Sequence, residues 1–200
     1  MTKLIFSILL FFLLTGANGQ SGIDYKHKKI TKEIEKLWGI EQANIVELPI
    51  PDSIKKENYI QGKYFAVADK MNVSQIYYMY IGRVNSCRAG GCSIPMDSNE
   101  NFESEYFDYF ILFDSAISVH LVRVFNYAAT HGHEVSAKGW LRQFDGYDGT
   151  DTLRVGKNVD AISGATISVY GITEDVQLKT QIMQALNKQI KISTNLSKIP

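Results

Sequence analysis

The chain has 200 residues, 45% of them hydrophobic, which is enough for one domain with a real core once an N-terminal leader is set aside. Its 21 basic residues are balanced by 21 acidic ones. Without a basic excess, neither a broad nucleic-acid surface nor an anionic-membrane surface is expected.

Lys3 precedes the apolar run Leu4 to Leu14, and small residues follow at Ala17 and Gly19. That is the order of a secretory signal peptide cut near Gly19. The run is shorter than the roughly 20 residues a crossing helix needs. Residues 1–19 are therefore expected to be removed, leaving an exported protein, periplasmic or secreted, with no stable membrane span. The rest divides into an N-terminal helix and extended segment over 20–60 and a main domain over 61–200.

Residues 25–38 place Ile30, Ile34 and Leu37 at helical spacing among Lys and Glu, which predicts an amphipathic helix ending near Gly39 with a solvated charged face. Asn44 to Ile50 alternates like a short strand, with Pro49 and Pro51 marking an edge or an exit. Gly62 to Ala68 and Gln75 to Val84 predict a hairpin turning at Asp69 to Asn72. Tyr77, Tyr78, Met79 and Tyr80 read as a sheet surface of alternating burial, not as a stacking platform for single-stranded nucleic acid.

Asp97 to Glu105 is polar and predicts a loop. Tyr106 to Phe113 and Ser118 to Phe125 predict a second hairpin around Asp114 to Ile117. His133 to Phe144 reads as one helix carrying Trp140 and Leu141 inward. After the Gly- and Asp-rich stretch Asp145 to Thr152, a last helix runs from Ser168 with Ile172, Val176, Met183, Leu186 and Ile190 near one face. The order of elements predicts an α+β fold, a small antiparallel β-sheet of two hairpins with packed helices.

Cys87 and Cys92 are the only cysteines. In an exported chain the first reading of so close a pair is a structural disulfide, with the intervening glycines allowing a tight reversal. Arg88 favours a thiolate, which keeps a redox-active pair open as the alternative. His131 and His133, with His120 upstream, complete no metal site, since His120 falls in a strand and no carboxylate spacing supplies further ligands.

One heptapeptide carries chemistry. Asp160-Ala161-Ile162-Ser163-Gly164-Ala165-Thr166 fits the pattern D-x-x-[ST]-G-A-[ST], which average residue usage would produce by chance in roughly one chain of this length in a thousand. It resembles the signature of the FMN-binding domain family. That family includes the flavin subunits of sodium-pumping NADH:quinone reductase and of ferredoxin:NAD ion-pumping complexes, together with exported single-domain proteins. The resemblance runs from about Tyr106 to Ile190 and implies an FMN-binding-domain-like fold over 61–200. It also implies FMN esterified through its phosphate to Thr166 by a separate flavin transferase that uses FAD and a divalent metal.

The residue types suit that chemistry. Gly164 can take φ above zero and let the backbone approach an anion, and Ser163 and Ala165 add amides with little bulk. A helix starting near Ser168 would set the phosphate at its N-terminus, where free N–H groups favour negative charge. The Ser163 and Ser168 hydroxyls are further candidate donors. Asp160 would repel the phosphate if it pointed inward, so it reads as fixing the loop or as being read by the transferase. Without a cofactor, the same segment is a helix N-cap with a Gly-containing turn.

Thr130-His131-Gly132-His133-Glu134 lies where relatives have a Thr-Pro-Gly loop near the flavin, with His131 replacing the proline. By that resemblance Thr130, Gly132 and Glu134 are candidate contacts to the ring or ribityl chain. Tyr127 and Trp140 are candidate stacking partners, Trp140 having a core role as its other reading. The implied function is electron transfer between donor and acceptor proteins that the sequence does not name. A flavin-dependent reductase acting directly on a small acceptor or quinone, and a cofactor-free exported binding module, are the alternatives.

Overall fold

The computed structural model describes residues 22–58, 60–71, 75–88 and 104–196. The leader expected over 1–19 lies outside these residues, as do Cys92 and most of the expected loop 97–105. Cys87 is described as a backbone position only, so the pairing of Cys87 with Cys92 also falls outside them.

Five strands, β1 (Ala43–Leu48), β2 (Gly62–Asp69), β3 (Ile76–Arg88), β4 (Ser104–Phe113) and β5 (Val119–Tyr127), form one antiparallel sheet in chain order. Both expected hairpins are present, and β3 joins them by pairing with β4, Tyr80 opposite Ile111. Glu105, expected in a loop, belongs to β4. The N-terminal segment supplies the edge strand β1, which ends before Pro49 because proline cannot donate to a ladder.

Helix α1 (Lys28–Trp38) begins at His27, whose Nδ1 accepts the N–H of Lys29 at 3.2 Å, and ends at Gly39 as its pattern predicts. A short helix, α2 (Asp52–Glu57), follows β1 where an extended segment was expected. Its N-terminal Pro51 fixes φ near the helical value and Asp52 complements the first turn.

Alternate residues of each strand point to opposite faces, and both faces are covered. On one side Ile30 and Ile34 of α1 pack with Phe65, Val67, Met79, Ile81, Phe110 and Leu112. On the other, Tyr64, Tyr80, Phe107, Tyr109, Ile111 and Phe113 meet the long C-terminal helix α4 (Thr166–Leu196). In place of the alternating exposure expected for Tyr77 to Tyr80, Met79 and Tyr80 are buried on opposite faces and Tyr77 and Tyr78 are half-buried. Tyr77 stacks on Trp38 at 4.0 Å, and Tyr80 is 0% exposed. Each such side chain contributes about 1.5–3 kcal/mol by leaving water.

The charged face of α1 is not wholly solvated. Glu33 is buried beside Arg123 at 3.6 Å, and Lys29 Nζ donates to the carbonyl of Val124 at 2.8 Å. That bond protects the edge strand β5, whose start is covered by Gly146 and Tyr147 through backbone bonds of 2.7 and 2.8 Å to Val119.

The single helix expected over His133–Phe144 is instead three short pieces. A 3-10 turn spans His133–Ser136, α3 spans Lys138–Leu141, and a second 3-10 turn spans Arg142–Phe144. Ala137 is extended at ψ 122°, and Val135, Ser136 and Gly139 are poor helix formers. What holds the stretch is burial of Val135, Leu141 and Phe144 against the sheet.

Helix α4 is the longest element, with 31 residues. It buries Val169, Ile172, Val176, Met183 and Leu186 as its spacing predicts, but Ile190 lies 38% exposed beyond the sheet. Its buried stripe also includes Lys179, whose Nζ pairs with Asp175 at 2.7 Å. Tyr109 OH donates to Asp175 at 2.6 Å, and Tyr64 OH donates to the carbonyl of Lys179 at 3.0 Å.

Candidate functional site

The heptapeptide ends where α4 begins. Val169 N–H makes the first helical bond, to Ala165 O at 2.9 Å, so the N–H groups of Thr166, Ile167 and Ser168 precede it. The residue in the capping position is Ala165, buried and without a side-chain acceptor, where Ser, Thr, Asp or Asn would ordinarily satisfy such donors. No acidic residue stands in the first turn. Among the described residues these donors have no partner, so the helix start offers them together with a positive dipole end. The helix begins two residues earlier than its hydrophobic pattern suggested, so Thr166 is its first residue and not part of the preceding loop.

Thr166, Ser163 and Gly164 are all exposed. Gly164 has φ 80°, a left-handed conformation that a side chain would strain, and it turns the chain between Ser163 and the helix. Ala165 N–H closes that turn on Ile162 O at 3.1 Å.

The turn is fastened at both ends. Upstream, Trp140 Nε1 donates to the carbonyl of Asp160 at 2.9 Å, and Asp160 N–H donates to Gln143 Oε1 at 2.6 Å. Gln143 is held in turn by its Nε2, which donates to Trp140 O at 2.9 Å. Asp160 is thus fixed through its backbone, and its exposed carboxylate has no hydrogen bond among the described residues. Trp140 is part-buried and edge-on to Phe144 with centroids 5.6 Å apart, so its ring packs on the core while its N–H holds the motif.

Downstream, Ser168 is 2% exposed and its Oγ lies 2.9 Å from Ser86 Oγ and 3.1 Å from Tyr127 OH. Tyr127 has one proton and gives it to the carbonyl of His131 at 2.6 Å. Ser168 must then donate to Tyr127, and Ser86 to Ser168. The Ser168 hydroxyl is committed inward and has no proton left for a phosphate. Its contribution is to pin the first turn of α4 to β3, β5 and the loop after β5. Burial raises the Tyr127 hydroxyl above its ordinary pKa, with the Ser168 bond opposing that shift, so the chain keeps its proton at neutral pH.

The same pin brings the 130–134 loop to α4. A Cβ on Gly132 would lie 2.6 Å from Ser168 Oγ, so only glycine permits this approach. Thr130 Oγ1 donates to Glu105, and Glu134 is exposed. Tyr127 lies flat against Phe107, with centroids 5.4 Å apart, and takes the edge of His133 at 5.1 Å. One of its faces is thus engaged within the fold. His120 stands apart, exposed on β5, and among the described residues no group of three His, Cys, Asp or Glu is arranged to hold a metal.

Ser86, Gln143 and Glu105 were not singled out from the sequence. Ser86 lies 82 residues from its partner Ser168, and a lone serine in a strand gives no local signal. Gln143 stood within the expected helix, with nothing to show that its amide turns back toward Asp160. Comparison with protein-family models, curated proteins and solved structures gives no match. Among the described residues no helix is long and apolar enough to cross a membrane.

Proposed function

We propose that this is an exported flavoprotein of the FMN-binding-domain type, with FMN esterified through its phosphate to Thr166, which passes electrons between redox partners. The observation that carries this reading is Thr166, an exposed residue and the first of a long helix whose capping position is filled by alanine. A phosphate on that oxygen would meet the N–H groups of Thr166, Ile167 and Ser168, at hydrogen-bond strengths of about 1.5–3 kcal/mol for charged partners where water is excluded. The antiparallel sheet backed by a helix that starts in the motif is in keeping with the family resemblance.

No base stands beside Thr166 in the sequence to activate it, so attachment falls to a separate flavin transferase. With FAD as donor, a bond forms between Thr166 Oγ and the FMN phosphorus, the pyrophosphate bond breaks, AMP departs, and the hydroxyl proton passes to solvent. The bound flavin supplies one- and two-electron chemistry, while the chain supplies orientation and electrostatics.

The test is mass spectrometry of the tryptic peptide containing Thr166, after export from a host that has the transferase. The expected result is an added FMN. An unmodified peptide from such a host ends the proposal. Turnover of a quinone by the isolated, reduced protein would assign it to direct catalysis instead of electron carriage.

A further inference from the structure

Asp160 opens the acceptor segment, and both of its backbone polar groups are taken by side chains from another element. Trp140 supplies the donor and Gln143 the acceptor, and the two are joined to each other through Gln143 Nε2 and Trp140 O. A side-chain pair that captures N–H and C=O of one residue holds the two peptide groups that flank it, and so fixes the backbone direction at that residue. Neighbouring Val159 is 1% exposed and bridges to Val155, which anchors the chain just before the clamp. Ala165, 2% exposed, anchors it just after Gly164. Between these anchors Asp160, Ala161, Ser163 and Gly164 are exposed, and Thr166 is exposed immediately beyond. The loop is held rigid from beneath, with its outer surface free.

We infer that Trp140 and Gln143 are positioning residues that present the acceptor loop, with the Asp160 carboxylate and the Thr166 hydroxyl outward, as a preformed surface for the attaching enzyme. This rests on Thr166 being the flavin acceptor. Neither residue touches the reacting atoms; they spare the enzyme the ordering of a flexible loop. A loop released from the clamp loses that order, and the entropy of restoring it falls on the encounter with the enzyme. The cost therefore appears in KM, while an engaged loop reacts at the same kcat.

The experiment follows flavin incorporation into the mature chain by intact mass, with a flavin transferase and FAD, for the parent, Trp140→Phe and Gln143→Leu. Trp140→Phe keeps an aromatic ring against Phe144 and removes the N–H; Gln143→Leu removes both amide bonds at similar volume. Each variant is expected to raise KM for the chain about fivefold, the equivalent of one ordinary hydrogen bond, with kcat and final stoichiometry unchanged. Should Trp140→Phe fail to fold by circular dichroism, Gln143→Leu decides alone. An unchanged KM, or a loss confined to kcat, overturns the positioning role while leaving Thr166 as acceptor. A parent chain that takes up no flavin overturns the acceptor reading itself.

Discussion

The middle of α4 and its first turn treat polar groups in opposite ways. In the middle, Lys179 is sunk to 2% side-chain exposure; its ammonium pairs with Asp175 and lies 5.7 Å from the Tyr80 ring, while Tyr109 bonds Asp175 and Tyr64 bonds the Lys179 carbonyl. At the start, the donors lie beneath an alanine cap and Thr166 is exposed. Under the sheet α4 pairs its buried polar side chains, although on the opposite face Trp38 Nε1 and Arg123 Nε are buried without a hydrogen bond. The open first turn is thus the place to look for a ligand.

The sharpest way to separate the two regions is Thr166→Val, which keeps the volume and deletes the hydroxyl. Flavin attachment should vanish by mass spectrometry, while urea denaturation shifts by no more than about 0.5 kcal/mol. Asp175→Asn should do the reverse. It leaves the Lys179 ammonium buried without its counter-charge, which costs about 3 kcal/mol in the same denaturation measurement, with flavin attachment intact wherever the variant is folded.

A pH series probes the closed region without mutation. Burial raises the hydroxyls of Tyr64, Tyr80 and Tyr109 well above the ordinary value of 10.0, and the nearby Asp175 carboxylate adds to the shift. These phenols stay neutral in the fold but ionise in the unfolded chain, so their stabilising effect is complete below pH 10.0 and is lost as pH rises above it toward the folded values. Urea midpoints should fall through that alkaline range, and Tyr109→Phe should make the fall shallower. A smaller loss than that of Asp175→Asn is expected from Tyr127→Phe at the open end. It removes the bond to His131 O and the acceptor for Ser168, costing about 1 kcal/mol in the urea measurement.

Much of the sheet was legible because its code is local. Runs rich in Tyr, Phe, Val and Ile form β2 and β4, and turn residues fall at Asp69 and Asp114, so each hairpin carries its own signal. The stretch from His133 to Phe144 was not legible as three pieces, because Val135, Leu141 and Phe144 satisfy a helical pattern loosely and only burial against β5 decides the breaks. Lys179 was invisible as a buried residue for the opposite reason. A lysine reads as solvated, even with Asp175 one turn before it, until the tyrosines of separate strands are brought over that helix face.

The candidate site divides the same way. Asp160 to Thr166 stood out by its residue types alone, and Gly164 takes the left-handed turn expected of it. That Ser168 faces inward, that Trp140 serves as a donor to Asp160, and that Gln143 completes the clamp all depend on partners 17 to 82 residues distant.

The sequence by itself determined the balance of charge, the α+β order of elements, the two hairpins and the segment with a chemical pattern, since each is written in the spacing of neighbouring residues. The tertiary structure decided which polar groups are used up and which are left open. Hydrogen-bond satisfaction is a property of atoms brought together from distant parts of the chain, and local spacing cannot express it.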